Sequence, residues 1–484
     1  MIRYLLKVLF TGNLGLKFIE VGRRIDKILR YEGFPGLLQR TKMGLADLNQ
    51  RIGKPFKREP LDLGCGSREK LSGKKVSIVI PTKNAGTEFE SLLSTVRKQK
   101  GVEQVELLII DSGSEDQTLG LVEKFEANLY RIDPERFNHG LTRNLGAEKA
   151  RGEYLVFMVQ DAIPLNEYWL YTMIKVLETD PKIGAVACRQ FPQKDADLFS
   201  RFMNFNHYDS MQLQKDEVRF VANREEYHAL SAGDKRRVSQ LDNVCTCFRK
   251  HTFESYQFRE TKYAEDLEIG ARMAMDGHKL AFLASNGVIH SHNRSSLHFL
   301  KRGYIDRRLT PGFLKYVPAS PIIPKGMSIQ EVLLDMKSLY SCVWVSLVKL
   351  KVCDRWDHMI SIFPSSVLKE MKNPYVEKRP VENAFEMFFD GIETIIGKTV
   401  LENEKKRPNI FVDGFILNLK RFKTYILEHE CLDDRIRDQL DEALFKLLGL
   451  WLGQYLGDIV NAKERLGEVW IRHEELDAFL SAGL

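Results

Sequence analysis

The sequence predicts an α/β protein built on a mostly parallel central sheet, flanked by N-terminal helices and followed by an all-helical C-terminal domain. Three observations carry this. Between residues 73 and 310, short continuous apolar runs alternate with helical patterns, as they do where parallel strands are covered by helices on both faces. Residues 1–72 show helical periodicity with basic punctuation. Residues 311–484 lose the strand pattern and keep only helical spacing.

Taken in order, Leu5, Leu6, Val8 and Leu9, then Leu14, Phe18, Val21, Ile25 and Ile28, recur at helical intervals. Gly33, Pro35 and Gly36 break that run, a short helix follows around Leu45–Ile52, and Pro60–Gly73 reads as a linker. Residues 1–60 hold 13 Lys and Arg against 5 Asp and Glu, a balance of +8, whereas the whole chain is only +6. The basic excess belongs to the N-terminus and suits an anionic partner, either nucleic acid or a membrane surface. In the middle zone, Val76–Ile80, Val105–Ile110, Leu129–Ile132 and Tyr154–Val159 read as strands. Leu92–Arg97, Gln117–Phe125 and Leu141–Ala150 read as helices between them. In the last zone helical spacing runs through Ile329–Val352, Ala384–Ile396, Ile410–Ile426, Arg435–Val460 and Leu466–Leu480. The expected domains are therefore 1–72, 73–310 and 311–484.

Composition excludes several classes. With 44% hydrophobic and 29% charged residues, the chain is neither disordered nor of low complexity. The longest stretch free of Asp, Glu, Lys and Arg is Leu280–Asn293, shorter than the roughly 20 apolar residues of a membrane-spanning helix. Seven cysteines are scattered without a disulfide spacing, and no signal-peptide pattern opens the chain, so the cytoplasm is the expected compartment. Cys245 and Cys247 lack a second pair and read as part of a buried strand rather than a zinc site.

In parallel sheets ligands gather at the carboxyl ends of strands. The first strand ends in Pro81, Thr82, Lys83 and Asn84, and the second in Asp111, Ser112, Gly113, Ser114, Glu115 and Asp116. Asp111 precedes the next helix start and reads as a carboxylate for a nucleobase or ribose, whereas Asp116 and Thr118 read as helix caps. Asn138, His139, Gly140, Arg143 and Asn144 enter a helix whose N-terminus and arginine suit phosphate. Gln160 and Asp161 follow the fourth strand. A carboxylate at a buried strand end needs a partner, and a Mg²⁺ or Mn²⁺ ion shared with a diphosphate would serve.

Four segments together resemble family-2 glycosyltransferases of the GT-A fold: Val76–Asn84 (VSIVIPTKN), Leu107–Thr118 (LLIIDSGSEDQT), Phe137–Gly152 (FNHGLTRNLGAEKARG) and Val156–Pro164 (VFMVQDAIP). The resemblance covers roughly residues 74–305 and is nearest to the bacterial rhamnosyltransferase branch. It implies an inverting transfer of a sugar from a nucleotide-sugar, usually dTDP-L-rhamnose, to a hydroxyl of a surface polysaccharide such as O-antigen, with a divalent cation (Mg²⁺ or Mn²⁺) as cofactor. Pro81, Thr82, Asn84, Asp111, Ser112, Gly113, His139, Gly140, Arg143, Asn144, Gln160 and Asp161 would then bind the nucleotide-sugar. One departure is that Val159 stands where the family's Asp-x-Asp motif has its first Asp, so that only Asp161 matches.

In Tyr263–Met273 (YAEDLEIGARM) the resemblance makes Asp266, with Glu265 second, the general base; capping of a helix N-terminus fits the same pair. His290 and His292 fall on one side of an extended segment and are candidate metal ligands beside Asp161, without a choice between the two. The block His298–Arg308 fits either a lid over phosphate or a surface face. The insertion Gln193–Gln240 would shape the acceptor pocket.

The acceptor implied is an oligosaccharide or a lipid-linked glycan. The basic N-terminus then suits contact with the inner face of the cell membrane, and packing on the catalytic domain fits it equally. No nucleic-acid partner is expected. The C-terminal helices serve either homo-oligomerisation and docking or the framing of the acceptor. Two other readings compete: a UDP-hexose or UDP-N-acetylhexosamine enzyme, and a catalytically silent scaffold that binds partners through its helices. A nucleotidyltransferase is disfavoured, since its Gly-rich basic signature after the first strand is missing.

Overall fold

A computed structural model describes residues 56–61, 63, 71–318, 411–431, 433–465, 467 and 473–482, together with Leu29, Leu37, Val332 and Met336. The helices expected at residues 5–28 and 45–52, at 329–352 (Val332 and Met336 apart) and at 384–396 lie outside the described residues.

In chain order the elements are β1 (Lys57–Pro60), β2 (Leu71–Thr82), α1 (Glu88–Arg97), β3 (Val102–Asp111), α2 (Thr118–Lys124), β4 (Asn128–Arg131), α3 (His139–Lys149), β5 (Tyr154–Met158) and β6 (Ile163–Pro164). There follow α4 (Trp169–Thr179), β7 (Ile183–Phe191), α5 (Leu198–Met211), β8 (Glu217–Phe220), α6 (Arg224–Ala229), α7 (Ala232–Ser239), β9 (Cys245–Arg249), α8 (Lys250–Tyr256), α9 (Glu265–Met275), β10 (Lys279–Ile289) and α10 (Ser296–Leu314). The C-terminal helices are α11 (Phe411–His429), α12 (Asp434–Arg465) and α13 (His473–Ser481).

The strands form one sheet in the order β1-β8-β10-β7-β9-β5-β2-β3-β4, with β6 on β10. The segment β5-β2-β3-β4 is parallel, as is the β7–β10 pair. Between them β9 runs antiparallel to both neighbours, and β1, β6 and β8 add antiparallel edges. The sheet is thus more mixed than continuous apolar runs suggest, because a strand buried on both faces reads the same in either direction. Cys245 and Cys247 lie buried on β9 with free thiols, as the buried-strand reading requires.

Alternation along the strands divides two cores. Ile78, Ile80, Leu107, Ile109, Val156 and Met158 pack with α1 and α4, while Val79, Leu108, Ile110, Leu155 and Phe157 pack with α3, α8 and α9 on the other face. A third core joins α5 and α10 to the C-terminal helices through Phe199, Phe202, Leu300, Tyr304, Phe415, Phe422, Leu448 and Leu452. Helix α10 runs through position 310, where the sequence places a domain boundary, and its apolar side belongs to the C-terminal core.

Helix α12 is long and apolar enough to cross a membrane by length and composition, but 78% of its apolar window is buried within the protein. Its crossing with α10 is close. A Cβ on Gly453 would stand 1.9 Å from the carbonyl oxygen of Leu300, and one on Gly303 2.4 Å from that of Leu450. Lys446 of α12 with Asp197, and Arg201 with Glu430 just after α11, tie the C-terminal helices to α5.

Gly453→Val should therefore push α12 off α10 and destabilise the chain by about 1–3 kcal/mol, the usual cost of overpacking. Chemical denaturation of the purified variant against the parent measures this.

Candidate active site

The carboxyl ends of β2, β3 and β5 meet in a hydrogen-bonded rim. Gln160 donates its amide N–H to the carbonyl of Lys83 and accepts the Lys83 backbone N–H at 2.9 Å, so the loop after β5 is clasped to the loop after β2. Asn84, at φ +47°, accepts from the Glu115 N–H and donates its own backbone N–H to Ser114 Oγ. Asparagine tolerates this left-handed conformation better than most residues. Gly113, at φ +93°, turns the chain after β3.

Asp111 departs from expectation. It is 0% exposed, and its oxygens accept from Thr82 Oγ1, Ser114 Oγ and the backbone N–H groups of Gly113 and Ser114. Its carboxylate is thus buried behind the rim and braces it from within the protein. Pro81, Thr82 and Ser112 are likewise buried, and Ser112 bonds the Thr82 carbonyl. The surface left open on this side comprises Lys83, Asn84, Gly113 and Glu115. Asp116 accepts from the Thr118 N–H at the start of α2, the capping role expected of it.

The N-terminus of α3 is also spent internally. Asn138 Oδ1 accepts from the N–H groups of Gly140 and Leu141, leaving neither for phosphate. Gly140 lies against Phe258, and Asn144 exchanges two hydrogen bonds with the Phe258 backbone. His139 is exposed beside Phe137. Arg143 is 2% exposed and pairs with Glu265 at 2.8 Å, so its charge serves a carboxylate instead of a diphosphate.

Glu265 and Asp266 open α9 directly after Ala264, which sits at φ +54°. Such strain in a residue with a Cβ persists only where the surroundings enforce it. Burial works against the Glu265 charge, but Arg143 and the Asn243 side chain outweigh it and hold its pKa below the usual carboxylate value. Asp266 moves the other way. Burial first, then the Glu265 and Asp242 charges, push its carboxyl up to about 7. Two adjacent carboxylates thus divide into one that stays charged and one that exchanges a proton near neutrality, the division that acid–base chemistry needs.

A second group forms where β6 pairs antiparallel with the end of β10, Ile289 opposite Ile163. The same register carried two residues on sets Asp161 across from position 291, between the two histidines. His290 Nε2 lies 3.6 Å from Asp161 Oδ1, His292 Nε2 lies 3.4 Å from Oδ2, and the two Nε2 atoms are 3.1 Å apart. Ligands about 2.1 Å from one ion and at right angles are about 3.0 Å apart. One carboxylate and two imidazoles at these spacings fit a divalent cation, and both histidines belong to the group. Burial pushes His290 down to about 4, which keeps its ring neutral, the form that ligates.

Residues without a sequence motif join the two groups. Gln190, at the end of β7, accepts from His290 Nδ1 at 2.8 Å and donates to Asp242. Asp242 accepts from the Val244 N–H; Asn243 donates its backbone N–H to Asp266 and its side chain to Glu265. The strand-end rule reaches Gln190, but nothing in the sequence marks the 242–244 turn. The His298–Arg308 block is a packed helix and no lid. Arg308 pairs with Glu464 and Asp477, and Lys301 bonds the Ala482 carbonyl. Within that block Arg302 lies 5.7 Å over the Tyr263 ring, where its charge acts on Asp242, Asp266, His290 and His292.

Residues 77–233 match the family described as glycosyl transferase family 2. The chain is 34% identical over 224 residues to the O-antigen chain rhamnosyltransferase RfbN of Salmonella typhimurium, covering 45% of this chain and 67% of that protein. It is 31% identical over 223 residues to the O-antigen chain rhamnosyltransferase WbaN of Salmonella anatum, covering 45% and 66%. Among solved structures, the mannosyltransferase PcManGT of Pyrobaculum calidifontis is 15% identical with a TM-score of 0.41, over 81% of this chain and 97% of that one.

Gln190→Ala removes the acceptor that orients His290 while leaving every ligand atom in place. Affinity for Mn²⁺, measured by calorimetry, should fall about 10–100-fold, the usual effect of losing such a partner.

Proposed function

The chain belongs to glycosyltransferase family 2, and from that premise we propose that it moves L-rhamnose from a nucleoside-diphosphate donor onto a hydroxyl of a growing O-antigen-type glycan. It is a glycosyltransferase that extends a polysaccharide. The choice of sugar is supported by the likeness to the two O-antigen chain rhamnosyltransferases. The arrangement that most supports the chemistry is Asp266, a carboxyl titrating near neutrality, joined through the Asp242–Asn243 turn and Gln190 to the Asp161–His290–His292 group.

In this reading Asp266 takes the proton of the acceptor hydroxyl as that oxygen attacks the anomeric carbon. The Asn243 N–H, 3.1 Å from Asp266 Oδ2, and the Leu267 N–H, 2.7 Å from Oδ1, fix the carboxyl in orientation. Arg143 keeps Glu265 charged, and that charge keeps Asp266 basic. Asp161, His290 and His292 would hold a divalent cation, which supplies positive charge against the departing diphosphate. Arg302 adds a cation on the same side, and Gln160 with the Lys83–Asn84 rim borders the nucleoside. Attack opposite the leaving group makes the transfer inverting. The acceptor assigned is a lipid-linked glycan, which the basic N-terminal segment suits by its attraction to an anionic membrane.

The test incubates the chain with dTDP-rhamnose, a UDP-hexose and a UDP-N-acetylhexosamine, each with a lipid-linked O-antigen acceptor and Mn²⁺, and follows nucleotide release and product mass. Rhamnosyl product from dTDP-rhamnose alone is expected, with Asp266→Asn slower by about 10²–10⁴-fold and still binding dTDP. Transfer from a UDP donor instead rejects the sugar, and no turnover or binding with any donor rejects the enzyme reading in favour of a scaffold.

The rise of kcat/KM with pH should have its midpoint near 7, where Asp266 loses its proton. Glu265→Gln removes a negative charge that raises Asp266 and frees the Arg143 cation, and both changes favour the ionised base. The midpoint should therefore move to lower pH, and a pH–rate profile measures it.

A further inference from the structure

We infer that His207 of α5 and Arg302 of α10 read the hydroxyls of the acceptor's terminal sugar, and that this sugar is an uncharged ring; this rests on the reading of Asp266 as the base. Two helices carry the pair, and each faces two ways. On α5, Phe199, Phe202 and Phe205 meet Phe422, Tyr425 and His429 of α11. By helical spacing Asn204, His207 and Tyr208 lie on the opposite side. Asn204 and Tyr208 there bond the backbone of Gln190, which ties α5 to the site. On α10, Leu300 and Tyr304 enter the C-terminal core, while Arg302 and Asp306, one turn apart, share the other side. The C-terminal helices thus hold the two walls on which the pair stands.

The groups between these walls divide into spent and unspent. Arg236 of α7 pairs with Asp306 at 2.8 Å, and Tyr263 and Thr310 bond the same carboxylate. His207 and Arg302 are not engaged in this way. Among the described residues, neither His207 ring nitrogen makes a hydrogen bond, nor does the Arg302 guanidinium. His207 is half-buried and Arg302 exposed, so both remain open to a ligand. The Arg302 charge acts on His207 and on Asp266 alike, which puts the three in one neighbourhood. Burial, then the Arg236 and Arg302 charges, push His207 down to about 4. Its ring is therefore neutral and offers one N–H and one bare nitrogen.

That pattern fits a hydroxyl, which donates and accepts at once. Arg302 carries five N–H donors, enough to serve a hydroxyl oxygen and the departing diphosphate together. Charge decides between a neutral and an anionic sugar. Arg236 answers Asp306, Arg143 answers Glu265, and the Arg302 charge acts on Asp266. Each of these cations already answers a carboxylate. A uronate or a phosphorylated sugar would set a further anion beside Asp266 and hold the base protonated. A neutral ring meets the open donors and acceptors and leaves the balance intact.

The experiment records saturation-transfer NMR of methyl rhamnoside, methyl galactoside, methyl mannoside and methyl glucuronide on the full chain with Mg²⁺ and dTDP. A neutral glycoside is expected to bind, and the glucuronide to bind more weakly. In His207→Ala the Kd of that glycoside should rise about three- to tenfold, the usual worth of one hydrogen bond. The affinity for dTDP, measured by calorimetry, should stay unchanged. His207→Gln keeps a donor and an acceptor and should recover part of the loss. One monodeoxy form of the glycoside should lose the same factor on the parent and nothing further on His207→Ala, a coincidence that a merely structural histidine would not give. Tighter binding of the glucuronide overturns the neutral acceptor. A Kd unmoved by His207→Ala overturns the role of His207. A chain that binds dTDP but no glycoside overturns the pocket and leaves the donor reading standing; a chain that binds neither overturns both.

Discussion

The short antiparallel ladder between β6 and the end of β10 is the constraint on which the site depends. It is two residues long on the β6 side, yet its register alone sets Asp161 opposite the gap between His290 and His292. A slip of one residue would turn the histidines to the other face of the strand. The parallel pairing of β10 with β7 guards against that slip, since the His290 N–H also bonds the Phe191 carbonyl at 2.8 Å. Gln190 stands one residue earlier on β7, where its side chain reaches His290. The backbone pairing that builds the sheet therefore also orients the ligands.

From this point order spreads through one turn. Asp242 receives Gln190 on one side and closes on the Val244 N–H on the other, while Asn243 between them grips both carboxylates at the start of α9. The Asp161–His290–His292 group and the Glu265–Asp266 pair are thus tied into a single connected network. The Arg143–Glu265 pair is part of it. A buried arginine beside one carboxylate forces its neighbour to carry the titration, because two close carboxylates resist ionising together. What first resembles a phosphate-binding arginine is buried here against Glu265.

Much of the scaffold was legible because periodicity reports burial. The runs Val76–Ile80, Val105–Ile110 and Tyr154–Val159 correspond to β2, β3 and β5, and the helical spacing of 410–426 and 435–460 corresponds to α11 and α12. The antiparallel course of β9 was not legible, since direction leaves no trace in a strand buried on both faces. At the site, Asp161 stands out by its place after a strand, His290 and His292 by their spacing, and Glu265 and Asp266 by the family resemblance; the structure groups the first three within ligand distance of one another. Asp111, Arg143 and Asn144 were assigned to the ligand because residue type cannot tell a carboxylate facing a cleft from one satisfied behind it. Gln190, Asp242, Asn243 and Arg302 had no motif, and their roles arise only from contacts between distant segments.

Asp161, His290 and His292 gather at one point, where the proposed reaction would bring the diphosphate of an activated sugar. A crystal structure with Mn²⁺ and dTDP, with anomalous data collected near the manganese edge, tests it most directly. One anomalous peak is expected within bonding distance of Asp161 and both histidine Nε2 atoms, with the diphosphate on its open side and Asp266 facing the same cleft. A peak at other residues, or a diphosphate seated away from Asp161, would contradict it.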